Sequence, residues 1–142
     1  MSDFILIDGD IVNFQPNFGA AIVVVRPGTF KGSGPATLNG KKICVDGDEK
    51  DVSVSGCIYT TPQYSIPGTG TLKIAALAGN QKARKTQTGG KAVLLKGGNF
   101  TAKFEVQNPA KQPNVPAPIP DATPEYPGNG TFITTNLKFQ GS

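Results

Sequence analysis

The sequence predicts an all-β fold of short hairpins with pseudo-threefold internal repeats, ending in an extended Pro-rich strap and a terminal strand. Three observations predict it. Helical periodicity is nearly absent along the chain. Glycine (18 residues) and proline (12 residues) punctuate all 142 positions, so no apolar run grows long. Several runs alternate apolar and polar residues with the period of two that a half-buried strand requires. The length fits one domain able to bury its own core.

Taken in order, "MSDFILIDGD" has neither a basic n-region nor a long apolar run, so it does not read as a signal peptide. "AAIVVVRPG" (20–28) is an apolar run stopped by Pro27-Gly28 and reads as a buried strand. "DVSVSGCIYTT" (51–61) alternates and bends at Gly56. "LKIAALAGNQKARK" (72–85) is the one stretch with room for a helix, and Gly79-Asn80 interrupts it. "KAVLLKGGNFTAKFEV" (91–106) reads as a hairpin of Ala92–Leu95 and Phe100–Val106 around Gly97-Gly98-Asn99. Residues 108–130 then hold seven of the twelve prolines. Proline fixes φ and lacks a donor, so this segment is expected as an extended linker outside any sheet interior. "TFITTNLKFQ" (131–140) regains strand character, with Phe132, Thr134, Asn136 and Lys138 on one face. The expected division is a β domain over 1–107, a linker over 108–130 and a β segment over 131–142.

No run approaches the roughly 20 apolar residues that span a bilayer. The net charge is +4, and residues 51–107 carry 7 − 2 = +5 of it. The densest cluster, "NQKARKTQTGGK" (80–91), has no interleaved aromatics. It reads as a solvated hairpin tip rather than a nucleic-acid site.

An internal repeat organises the first hundred residues. "LIDGDIV" (6–12) and "CVDGDEK" (44–50) share an aliphatic-Asp-Gly-Asp at an offset of 38, the difference between 44 and 6. "LAGNQK" (77–82) is a degraded third copy in which Gly79-Asn80 stands for Gly-Asp. The turn residues singled out are Gly9, Asp10, Asn39, Gly40, Gly47, Asp48 and Gly79. Glycine supplies a positive φ cheaply, and a following Asp holds the turn shut through backbone N–H groups. Hairpins too small to bury their own faces can share one core around a pseudo-threefold axis.

The run Leu38-Asn39-Gly40-Lys41-Lys42-Ile43-Cys44-Val45-Asp46-Gly47-Asp48 resembles the repeated core of PAAR and PAAR-like proteins, and Gly9-Asp10 resembles that family's first Gly-Asp. The resemblance covers roughly residues 5–107. It implies a small β-rich cone whose base sits on the threefold end of a VgrG-type or phage-type spike. One copy per homotrimeric spike, effector cargo and transient contact with a target membrane are what it implies about partners. It also implies assembly in the bacterial cytoplasm into an injection particle, then delivery outside the cell. The family's apex is usually closed by zinc on three histidines and a cysteine, and this chain has no histidine. Cys44 and Cys57 offer two thiols where structural zinc takes four ligands, so no cofactor is expected. Asp46 and Asp48 would make a poor completion of the set. A disulfide is the other alternative for the two cysteines, and buried free thiols the bland one. Phe30, Tyr59 and Tyr64 are candidates for filling the apex instead.

Without histidine, Ser-His-Asp and Cys-His schemes are excluded. The carboxylates Asp8, Asp10, Asp46 and Asp48 all flank turn glycines, which explains them structurally. "GTGTLK" and "GSGPAT" lack the Lys-Ser/Thr and the helix of a phosphate loop. The expectation is a structural, non-enzymatic spike tip. The rival reading is a β-rich glycan-binding or virion-decoration module tethered by the strap, which the absence of tryptophan weakens.

Overall fold

The computed structural model describes residues 3–38, 40–113, 117–134, 136 and 140–141. The described residues are all-β, with a single 3₁₀ turn among them at Asp48–Asp51. The first strands are β1 (Asp3–Phe4), β2 (Ile11–Phe14), β3 (Asn17–Phe18), β4 (Ala21–Val23), β5 (Gly28–Thr29), β6 (Thr37–Leu38) and β7 (Lys41–Lys42). Then come β8 (Ser53–Thr60), β9 (Gly68–Ala76), β10 (Lys82–Thr88), β11 (Lys91–Leu94) and β12 (Asn99–Asn108). The last are β13 (Lys111–Gln112), β14 (Ile119–Pro120), β15 (Glu125–Ile133) and β16 (Gln140–Gly141).

Eight strands form one antiparallel sheet in the order β3-β4-β8-β9-β12-β15-β2-β5. The sheet curls because β2 and β3 are consecutive in sequence yet lie far apart in that order. The bent segment Ile11–Phe18 joins them, and Gln15 N donates to Asn129 O at 2.9 Å as it crosses β15. The inside of the curl holds the main core, built on Phe14, Phe18, Phe30, Phe100, Phe104, Phe132 and Tyr59. Glycines make room for these rings. A Cβ at Gly70 would strike Phe104, one at Gly128 would strike Phe18, and one at Gly130 would strike Phe100. The strand glycines therefore trade intrinsic strand propensity for aromatic volume.

Four local expectations differ from what forms. Residues 72–85 are strands β9 and β10 turned at Gly79-Asn80, with no helix. The apolar run 20–28 is not buried on both sides: Ile22 and Val24 point outward, 59% and 66% exposed. The expected hairpin 91–106 does not close on itself. Strand β11 pairs with β10, while β12 lies between β9 and β15, the longer partners for its ten residues.

The Pro-rich stretch is also not wholly outside the sheet. Glu125–Gly130 belongs to β15, which pairs with β12 and β2 and crosses the expected boundary at 130. Pro127 is tolerated for a directional reason. Backbone groups two residues apart point to the same side of a strand. The Asn129 carbonyl receives Gln15, so the donor missing at Pro127 also faces away from β12. The β2 ladder starts only at Gly130, so no ladder bond is lost. Upstream, β13 and β14 make a two-stranded ribbon, and Lys111 exchanges backbone bonds with Ile66.

Candidate functional site

Three segments that belong to no long strand meet in a ring. Isolated bridges join Ile5 with Leu95, Ile7 with Ile43, and Val45 with Val93. Each segment thus pairs with both others. The hydrogen bonds run in a cycle: Leu6 N donates to Leu94 O, Leu94 N to Cys44 O, and Cys44 N to Leu6 O, each at 2.9 Å. A second cycle follows one step further out. Asp8 N donates to Lys42 O (2.8 Å), Asp46 N to Ala92 O (2.8 Å) and Lys96 N to Phe4 O (2.9 Å). One chain thereby reproduces, three times over, a geometry that a trimer would build from three.

Alternation along the segments divides the molecule. The middle residues Leu6, Cys44 and Leu94 are fully buried in the main core. Their neighbours Ile5, Ile7, Ile43, Val45, Val93 and Leu95 form a second core with Ala83, and Leu38 packs on it. Each segment is entered from a two-stranded ribbon: β1 with β16, β7 with β6, β11 with β10. Two ribbons turn locally. Gly40 (φ 76°) closes the first, and Gly89 and Gly90 (φ 60° and 77°) close the second. The third ribbon is made by the C-terminal segment, with Phe4 opposite Gln140 and Asp3 opposite Gly141. Asn136, buried, donates from Nδ2 to Ile5 O at 2.9 Å and fixes that segment to the ring. Asn39 lies outside the described residues, as do residues 135 and 137–139 of the terminal segment.

Two of the singled-out turns follow the ring directly. Asp10 Oδ2 accepts from Ile7 N at 2.8 Å, and Asp48 Oδ2 accepts from Val45 N at 2.8 Å. Gly9 and Gly47 take φ of 88° and 102°, beyond the reach of most side chains. The loop that leads into β6 latches both turns. Gly32 N donates to Asp8 Oδ1, and Ser33 donates its N–H and its hydroxyl to Asp48.

The third position is solved differently. The segment 93–95 runs into Lys96-Gly97-Gly98, with Gly97 at φ 53°. Gly98 has no carboxylate to offer, so Leu95 N donates to the backbone carbonyl of Gln81 at 2.9 Å. Gln81, fully buried, also donates from Nε2 to Gly98 O and accepts from Ala78 N at Oε1, both at 2.8 Å. Gly79 and Asn80 therefore sit in a turn with similar local bonding, but this turn follows β9 and not a ring segment. Gln81 leaves no mark in the sequence, because it acts across chain segments rather than within a repeat, and the same holds for Asn136.

The cysteines are free and buried. Burial pushes the Cys44 thiol well above its ordinary range, and the carboxylates of Asp48, Asp10 and Asp8 add to the effect. The thiolate that a metal would need is disfavoured there. Cys57 lies on β8, where Arg26 reaches both its sulfur and Ser55 O. Phe30 and Tyr59 belong to the main core, with Tyr64 partly buried against it.

The family described as contractile injection system spike tip protein matches the chain over residues 1–142. The chain belongs to this family. A search of curated proteins found no match. Membership makes the role structural: a spike tip associated with the spike of a contractile injection system. The ring is the part of the fold whose symmetry bears on that role, and its turns are testable. Asp48→Ala is expected to cost about 2–3 kcal/mol, because a buried carboxylate that accepts three hydrogen bonds is lost. Asp48→Asn, which keeps one acceptor, should cost less. Urea titration reads the loss, and hydrogen exchange at the Val45 amide should accelerate in the alanine variant.

Proposed function

We propose that this protein caps the threefold end of a trimeric β-helical spike, one copy per trimer, through the end of the molecule that carries the three ribbons. The observation that carries this reading is the hydrogen-bond cycle through Leu6, Cys44 and Leu94, fed by three ribbons. A closed trimer offers three equal surfaces, and a single chain engages all three at once only if it repeats its own contact geometry about the same axis. The opposite end, the curled sheet, then leads the particle toward the target membrane. The curled sheet closes over buried aromatic rings, which supports an apex without zinc, and the cap carries out no reaction of its own. Assembly takes place in the bacterial cytoplasm.

The test is co-expression with its cognate trimeric spike, followed by native mass spectrometry. A complex of one tip and three spike chains is the expected result. Free tip beside intact bare trimer would sink the reading.

A further inference from the structure

The ribbons differ from the rest of the molecule in charge. Residues 37–42 and 82–91, which form two of the three, hold Lys41, Lys42, Lys82, Arg84, Lys85 and Lys91 and no acidic residue. With Asp3 on β1, the ribbons carry 6 − 1 = +5. The remaining eight cations and nine acids give 8 − 9 = −1, so the ribbons account for all of the chain's net charge of +4. Lys82 is paired with Asp46 at 3.0 Å. Lys41, Lys42, Arg84, Lys85 and Lys91 are exposed. Lys41 and Lys91 hold matching places, each directly after the turn glycine of its ribbon. The one acid, Asp3, is turned inward: its two oxygens accept from Phe4 N and Gly97 N, both at 2.8 Å.

Concentrating like charge at one end works against the compact state unless a partner neutralises it. Complementary charge across an interface steers encounter and fixes register. On the reading that this end meets the spike, we infer that the ribbon face is an electrostatic docking surface for acidic protein: the spike end that receives it presents Asp and Glu carboxylates opposite Lys41, Lys42, Arg84, Lys85 and Lys91. Nucleic acid is the less favoured partner, because neither ribbon span contains an aromatic residue on which a base could stack.

The experiment measures affinity of the full chain for the purified trimeric spike between about 50 and about 500 mM NaCl, a range over which screening shortens from about 14 Å to about 4 Å. The wild type should weaken at least about tenfold across that range. The double variant Lys41→Glu/Lys91→Glu should bind about tenfold or more weaker at low salt and converge on the wild type at high salt. Lys111→Glu, on the β13–β14 ribbon and outside the three that feed the ring, is the control and should bind like the wild type. Unchanged thermal melting of the double variant separates lost docking from lost folding. A one-to-three complex with flat salt dependence and no effect of the double reversal overturns the electrostatic inference while leaving the capping role intact. No complex at any salt overturns both. Retention on duplex DNA at low salt, with none on the spike, overturns the acidic-protein partner in favour of nucleic acid.

Discussion

Replacing Phe100 with alanine is expected to cost about 3–5 kcal/mol, a large share of the 5–15 kcal/mol that holds a domain of this size folded. Phe100 is fully buried at the centre of the aromatic core. Its ring stacks on Phe132 at 4.9 Å between centroids and meets Phe14 edge-on at 5.5 Å. The backbone of Gly130 lies directly against it, so no side chain stands ready to fill the cavity. Strands β12, β15 and β2 share these three rings, and loss of the middle one loosens all three at once. Urea titration would show a midpoint shift at unchanged slope. A cost below about 1 kcal/mol would mean that the curl closes by backbone pairing alone.

Asp121→Ala is expected to cost about 2–4 kcal/mol, since it strands buried hydroxyls that now donate to a carboxylate. Asp121 lies in the Pro-rich stretch yet is buried. Its Oδ2 accepts from Tyr59 at 2.9 Å and from Tyr126 at 2.5 Å, and its Oδ1 accepts from Thr123 N at 2.9 Å. Its own N–H donates to Ala110 O, and Ala110 N returns a bond to the Tyr59 hydroxyl. Burial works to raise the carboxyl's pKa. The hydroxyl of Tyr126, the N–H of Thr123 and the hydroxyl of Tyr59 outweigh it and hold the group below the ordinary carboxylate range.

The sign of the pH dependence follows. A depressed folded pKa contributes stability that is fully present above about pH 4 and is lost as pH falls through the folded value. At the alkaline end, burial pushes Tyr59 up to about 12, with hydrogen bonding to Asp121 adding to it. That contribution is complete below about pH 10 and is lost as pH rises through the folded value. Thermal melting across pH should therefore show an acid limb that Asp121→Asn flattens. An unchanged acid limb in that variant would remove Asp121 from the account.

Part of this architecture is legible in the residues alone. Period-two alternation and dense glycine predicted the all-β class, and the aliphatic-Asp-Gly-Asp pattern marked the two turns that leave the ring at Asp10 and Asp48. What stayed hidden depends on long-range partners. No local signal says that β11 abandons β12 for β10, because the choice is made by longer strands elsewhere in the sheet. Pro127 reads as a breaker, since the direction of a missing donor is defined only by the neighbouring strand. Gln81 lies one position beyond Gly79-Asn80, but its role is to replace an aspartate absent at Gly98, a compensation visible only once the two turns are side by side. Asn136 gives no local signal, being one polar residue among several between Thr134 and Gln140.

The ribbon made by β1 and β16 has a consequence for the order in which the molecule matures. Thr37–Lys42 and Lys82–Leu94 can fold back on themselves as soon as they are synthesised. Phe4 must wait for Gln140, a separation of 140 − 4 = 136 residues, the slow kind of contact in a β topology. During translation the three ring segments are all present once Lys96 has emerged, but Leu6, Cys44 and Leu94 share their core with Phe100, Phe104 and Phe132, which come later. The ring end of the molecule is therefore completed last, when the C-terminal segment pairs with β1.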